Sequence, residues 1–431
     1  MYKLKQGLGK IHPLILFSPF LIVYILFIVK FNTGEIAYDE LRYVELARNL
    51  LKGFYSPPPP DINLWSGPGY PLFLSPFLFF NVPVHLIKLL NAFLLYGSVI
   101  LLFLSCKNYV PAAKAFLMAC CWGSYLPAFQ TLPSLLTETY VIFLISLFIF
   151  YLQKTFQHPS KKTIVISGVL LGLIVLTKIV FGYVLVVLLL VTFICLLIKR
   201  DRINKSVLSV FVVALLLNIP YLIYTYSITG KVFYWGNSGG LSLYWMSTPY
   251  ENEYGDWNNT HLNANFGNDT GAVTDTTMLF KNHAKELTYI NQLPKNLQDD
   301  ALKKIAISNI KNYPVKFVRN CIANVSRMFF GVPMSYVYQK DKTIIRFFYG
   351  SILFVLMLCS GLLCIYHWRK TIPFYKWITG FIFIYLGAGT FLSAYPRQLY
   401  IIIPVVLLWS TYIFSKTIVL HIRPNKTDDI V

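Results

Sequence analysis

The sequence predicts an all-α polytopic membrane protein of about ten transmembrane helices, with an interfacial helix in the first outer loop and a small exterior segment. Three observations carry that expectation. The chain is 56% hydrophobic and 13% charged, about half the charged share of a soluble domain. Its mean hydropathy is +0.57. Apolar runs recur along its whole length, at 11–30, 85–105, 112–130, 134–153, 162–177, 179–198, 206–226, 346–366, 375–392 and 399–417. Several are shorter than the ~20 residues of a full crossing. The pair 162–177 and 179–198 reads as one long helix or as two, and parity alone favours two.

The first run follows MYKLKQGLGK, is long and lacks a small-x-small cleavage site, so it reads as a retained span. Ten spans place the basic clusters at Lys3/Lys5/Lys10, Lys107/Lys114, Lys154/Lys161/Lys162, Lys199 to Lys205, His367 to Lys376 and Lys416 to Lys426 on the cytosolic side. A multi-pass cell-membrane protein with both termini cytosolic follows. Residues 1–226 form an N-terminal transmembrane catalytic module that includes outer loop 31–84. Residues 227–345 form an exterior segment, and 346–431 the C-terminal spans and tail. The net charge of +20 is explained by cytosolic loop ends and anionic lipid, without nucleic acid. The seven cysteines are scattered and suggest neither a disulfide framework nor a zinc site.

In the first outer loop, AYDELRYVELARNLLKG (37–53) repeats Tyr43, Leu46, Ala47, Leu50 and then Phe54 at helical spacing, which predicts an amphipathic helix in the interface plane. Asp39 and Glu40 occupy its first turn, where the positive helix end favours carboxylates. Asp39 lies one turn before Arg42 and Tyr43. It reads either as a capping carboxylate with a surface ion pair or as a buried catalytic or metal-binding group. Prolines 57–60 predict a stiff extended spacer. SGPGYP then predicts a tight turn into a short segment, 72–80, interrupted by Pro76 and partly immersed or re-entrant. Together these describe the roof of an outer-face cavity.

Three more ionisable residues fall on the outer side: Glu138 at the start of a span, Lys178 between two spans, and Arg397 before the last. Transfer from a sugar phosphoester needs a carboxylate near the acceptor hydroxyl and cations near the departing phosphate. Asp39 or Glu138 fits the first role, and Arg42, Lys178 and Arg397 the second. Lys178 also reads as a lysine snorkelling from a span end, and Glu138 as a helix cap. A carboxylate pair could hold a divalent metal, which stays open.

In the long outer segment, FYWGNSGGLSLYW (233–245), which includes Tyr244, sets five aromatics around glycines, suited to a sugar ring or to the interface belt. Residues 251–275 read as loop-rich, and His261 as an exposed or hydrogen-bonded histidine. Asn258, Asn268 and Asn324 match the glycosylation pattern. Residues 298–330 predict one or two amphipathic helices broken at Pro314, with Lys303, Lys304, Lys311, Lys316, Arg319 and Arg327 available to anionic headgroups. This segment is expected to be a lid or small exterior domain.

Six stretches, in order, resemble the polyprenyl-phosphate-sugar-dependent glycosyltransferases with the large multi-spanning (GT-C type) fold, which include the protein O-mannosyltransferases and the lipid A aminoarabinose transferase. They are DELRY, SGPGYPLFL, LLTETYVIFLISL, GVLLGLIVLTKIVFGYVL, NIPYLIYTYSITGKVFYWGNSGGLSLYW and YPRQLYIIIP, which cover most of residues 31–410. The resemblance implies transfer of a sugar from a polyprenyl-phosphate donor to a lipid, glycan or protein acceptor on the outer face. It implies a catalytic Asp39, acting as base toward the acceptor or as organiser of the site. It further implies an Arg42 that binds acceptor or donor phosphate, and an Arg397 that meets the lipid phosphate. Some relatives use a divalent metal. Gly67-Pro68-Gly69 departs from the Lys-Pro-Pro of the aminoarabinose branch, and Tyr221 and Tyr224-Thr225-Tyr226 depart from the exit segment. Both speak against lipid A or protein mannose chemistry. The candidates are therefore Asp39, Glu40 and Glu138 for catalysis, and Arg42, Tyr43, Lys178, Arg397 and Tyr244 for substrate and phosphate. The other class considered, a flippase or transporter of lipid-linked sugars, should carry internal repeats and helices broken at mid-membrane depth, and no convincing repeat is present. A scaffold would not need a Pro-rich entry beside a carboxylate pair.

Overall fold

A computed structural model describes residues 11–32, 34–260, 273–274, 276–338 and 343–417. Lys3, Lys5, Lys10, His261, Asn268 and the tail from residue 418 lie outside the described residues.

Helices build nearly all of it. After a one-turn helix at Pro13–Leu16 come α1 (Ser18–Phe31), α2 (Asp39–Leu51), α3 (Gly69–Phe79), α4 (Val84–Lys107) and α5 (Ala112–Gly123). Then follow α6 (Thr137–Gln157), α7 (Lys161–Thr177), α8 (Val180–Ile198) and α9 (Arg202–Thr229). The segment expected to be exterior contributes α10 (Gly239–Met246), α11 (Thr276–Gln292), α12 (Lys295–Asn312) and α13 (Pro314–Phe330). The chain closes with α14 (Thr343–Tyr366), α15 (Pro373–Phe391), α16 (Pro396–Tyr400) and α17 (Ile403–Thr417). A two-residue antiparallel pair, Val273–Thr274 with Val337–Tyr338, is the strand structure among the described residues.

The protein is an all-α polytopic membrane protein, with fewer clear spans than the ten expected. Among the described residues α4, α6, α8, α9 and residues 347–366 of α14 are long and apolar enough to cross a membrane. The helices α1, α3 and α5 are apolar but shorter. At 17 residues for α7 and 15 for α17, a helix rises about 23–26 Å, short of a ~30 Å hydrocarbon core. The region 162–198 is two helices, because Lys178 takes an extended backbone (φ −124°, ψ 104°) between α7 and α8.

Packing centres on α6, whose span is 72% buried. It lies against α4 and α7, while α7 also packs on α9, and α8 on α9 and α15. The first-loop helix forms as expected, but its buried stripe is Glu40, Tyr43, Val44, Leu46 and Ala47, docked on α3. Phe54 stays exposed. The proline run is no extended rod: Asp61 N–H donates to the Pro58 carbonyl at 3.1 Å and closes a turn there.

Within residues 227–345, Leu241, Tyr244 and Trp245 of α10 form a second core with residues of α11 and α12, including Leu279, Leu287, Ile290 and Leu302. Three of the five aromatics of 233–245, Trp235, Tyr244 and Trp245, are buried and form no open sugar platform, while Phe233 is exposed and Tyr234 half-buried. Gly240 serves close approach: its N–H donates to Asp299 Oδ1 at 2.7 Å, and a Cβ there would overlap the Asp299 carbonyl. The break at Pro314 appears as expected, between α12 and α13. Two of the six expected headgroup cations are not available, because Lys316 and Arg327 are buried and bonded to protein carbonyls.

Candidate functional site

The expected outer-face residues converge. Tyr38, with φ of 50°, turns the chain so that α2 begins at Asp39. Asp39 then stands one turn before Arg42, and its Oδ1 lies 2.6 Å from Arg42 Nη2. Its other oxygen, Oδ2, lies 3.0 Å from Arg397 Nη2. Arg397 Nε is 3.8 Å from Glu138 Oε1, and that same oxygen is 2.8 Å from Lys178 Nζ. A single string of alternating charge results: Arg42, Asp39, Arg397, Glu138, Lys178. It draws on α2, the first turn of α6, the α7–α8 break and α16.

Access separates the two carboxylates. The Asp39 side chain is 26% exposed and Glu138 3%, so Asp39 is the accessible carboxylate of the two. Arg397 is the most open cation, at 42%. Burial raises the Asp39 pKa, but the charges of Arg397 and Arg42 and their hydrogen bonds outweigh it and hold the carboxyl below its usual value. Arg42 lies over the rings of Tyr43 and Trp65, at 5.5 and 5.8 Å. Its Nε is buried without a hydrogen-bond partner, which leaves a guanidinium donor unspent. Trp65 in turn meets Trp257 edge to face at 6.1 Å, and Tyr395 Oη donates to the Trp257 carbonyl at 2.8 Å. Residues 227–345 thus reach the charged string through Trp257.

Two glycines set Lys178. A Cβ on Gly67 would overlap the Leu176 carbonyl, and one on Gly69 would meet Thr177. The SGPG turn therefore seats its backbone directly on the end of α7, one residue before the lysine.

The remaining candidates lie apart from the string's open side. Glu40 points into protein: its Oε1 accepts the Leu135 N–H at 2.6 Å and sits 3.3 Å from Lys88 Nζ. Tyr43 is buried edge to face on Tyr70 at 5.2 Å. Tyr244 is fully buried, with its hydroxyl 2.6 Å from both His283 Nδ1 and Glu286 Oε2. Lys88 was not expected at all, although a lone lysine inside an apolar run is a signal worth following. Trp65 and Trp257 carried no local signal.

Among the described residues no group of three or more His, Cys, Asp or Glu side chains could hold a metal ion. Asp39 and Glu138 are each paired with cations, so this arrangement does not fit a divalent ion, which would have to displace an arginine or lysine.

No family model matches the chain, and no curated protein does. Solved structures do. The apo oligosaccharyltransferase of Archaeoglobus fulgidus aligns with a TM-score of 0.53 at 13% identity, over 93% of this chain and 50% of that one. The oligosaccharyltransferase AglB of Archaeoglobus fulgidus, in complex with an inhibitory peptide and a dolichol-phosphate, aligns with a TM-score of 0.50 at 14% identity, over 93% and 50%. The chain therefore shares their fold and spans about half their length.

Proposed function

We propose that the protein is a membrane glycosyltransferase that moves a sugar from a polyprenyl-phosphate donor to a lipid, glycan or protein acceptor at the outer face. The observation that carries this is the string of three cations and two carboxylates, drawn from four distant segments and open at Asp39 and Arg397. A fold shared with an oligosaccharyltransferase captured with a dolichol-phosphate supports the same reading.

In the reaction the acceptor oxygen attacks the anomeric carbon, and the bond from that carbon to the phosphate oxygen breaks. The electron pair stays on the leaving phosphate, and the acceptor proton passes to Asp39. Arg42 and Arg397 steady the phosphate oxygens, where charge grows as the bond breaks. The phosphate also competes for the guanidinium groups that depress Asp39, so donor binding raises the basicity of the carboxylate where it is needed. Glu138, itself paired with Lys178, holds Arg397 from behind.

The test is direct. Purified protein in lipid, given a polyprenyl-phosphate sugar, should release polyprenyl phosphate in step with glycosylated acceptor. Consumption of a nucleotide sugar with no lipid carrier present would overturn the reading. A mass comparison of lipid extracts from cells with and without the protein would reveal the acceptor as one missing glycosyl increment.

A further inference from the structure

Helix α13 is inside out. Its buried positions include Lys316, Asn320, Asn324 and Arg327, spaced four, four and three residues apart along one face. Each of them donates to protein carbonyls or side chains, although Asn320 Oδ1 is buried without a partner. Lys316 Nζ donates to the Glu253 carbonyl at 2.6 Å, and Asn320 Nδ2 to the carbonyls of Met246 and Thr248 at 3.0 and 3.1 Å. Asn324 Nδ2 donates to Gly389 and Leu392 at 2.9 and 2.6 Å, while its Oδ1 accepts the Ala394 N–H at 2.9 Å. Arg327 Nε donates to the Ala394 carbonyl at 3.2 Å. The opposite face carries Val315, Val318 and Ile322, exposed at 66%, 56% and 67%. Asn324 is consumed in this way, so its glycosylation pattern is structural coincidence.

A helix facing water would present the reverse polarity. The far end of α13 shows what lies outside it. Phe329 and Phe330 meet the Phe354 ring at 5.3 and 5.9 Å, and a Cβ on Gly350 would overlap the Phe329 carbonyl. Phe354 stands seven residues into the apolar stretch 347–366 of α14, about 11 Å along it, inside a ~30 Å core if the span begins near residue 347. That span itself exposes Phe347, Phe348, Ile352 and Val355, and Phe330 stacks on Phe347 at 4.8 Å. Lys311 and Arg319 are exposed around the N-terminal half, where cations meet lipid phosphates.

We propose that α13 descends into the outer leaflet, its Val315–Val318–Ile322 face against acyl chains, while its inward polar face holds the segment 389–394 that leads to Arg397. The partner is lipid, and the helix ties the site to the membrane surface. This stands whatever the transferred group is.

Nitroxide labels test it in the full-length protein in lipid nanodiscs, in a background with Cys120, Cys121, Cys195 and Cys359 replaced. Labels at Val318→Cys and Ile322→Cys should be relaxed more by oxygen than by a water-soluble nickel chelate, and a label at Lys304→Cys the reverse. Stronger relaxation by the chelate at 318 and 322 would overturn the proposal. So would shielding from both reagents, which would mean a protein partner covers the face. A Val315→Cys label repeats the measurement should either variant be poorly folded.

Discussion

Arg397 Nη2 stands 3.0 Å from Asp39 Oδ2, across 358 positions of sequence. The contact joins the first outer loop to the start of the last helix pair, so the carboxylate most open to substrate is held by the cation most open to it. Function at Asp39 can therefore be probed from both ends of the chain.

Asp39→Asn keeps size and hydrogen bonding but removes charge and basicity. Turnover should fall at least ~100-fold, the lower end for loss of a general base, with wild-type yield and membrane insertion. Near-normal turnover at wild-type yield would leave Asp39 a helix cap and shift the catalytic role to Glu138.

Because Asp39 is held below its ordinary value chiefly by Arg397 and then Arg42, against the opposing effect of burial, its active ionised form persists as pH falls. The acid limb of kcat/KM should lie below the usual carboxylate value of about 3.9. Arg397→Gln should move that limb to higher pH, and Arg42→Gln should move it in the same direction by less. Unmoved limbs in both variants would mean that another group sets the profile.

The Lys88–Glu40 pair is structural. Lys88 is 1% exposed and bonds the Glu35 carbonyl as well. Lys88→Met leaves a buried carboxylate without its cation, at a cost of about 3–5 kcal/mol, seen as a lower Tm in detergent. Adding Glu40→Gln to it should recover part of that loss, since a glutamine oxygen still accepts the Leu135 N–H. Glu40→Gln alone should reduce turnover per folded molecule less than Asp39→Asn.

Gly67→Ala pushes a methyl into the Leu176 carbonyl. Overpacking of this kind costs about 1–3 kcal/mol, and here it displaces the end of α7 that carries Lys178. Thermal unfolding should show the loss of stability. Turnover should fall further than in a Gly380→Ala control, where a Cβ meets nothing within 4 Å and the backbone is helical.

Orientation has its own test. A cysteine at exposed Lys303 should react with an impermeant reagent applied from outside, and one at exposed Lys161 should not. The reverse pattern would move Asp39 to the wrong side of the membrane.

Asp39 and Arg42 were legible as a pair because three residues of helix set their spacing. Glu138, Lys178 and Arg397 were legible singly, as charges at the outer ends of apolar runs. Their convergence was not, because it depends on how distant helices pack. Helical geometry turns Glu40 about 100° away from Asp39, but only the docking of α2 on α3 fixes which side faces inward. Hydrophobic periodicity reveals that α13 has two faces, but only its neighbours reveal that the polar one is inside. The count of ten spans admitted runs shorter than a full crossing, and several of these, such as α7 and α17, form helices too short to count as clear spans.

Three cations against two carboxylates leave the string with one positive charge. A polyprenyl-phosphate sugar is a phosphodiester with one negative charge, so on the proposed reaction the occupied site is electroneutral. Transfer releases a phosphomonoester, which carries about −1.5 to −2 at neutral pH. If Asp39 keeps the acceptor's proton, the string gains one positive charge at the same moment and the balance is held. Electroneutrality then fails when that proton escapes to water. Proton loss from Asp39 thereby becomes the event that loosens the spent carrier and readies the site for the next donor.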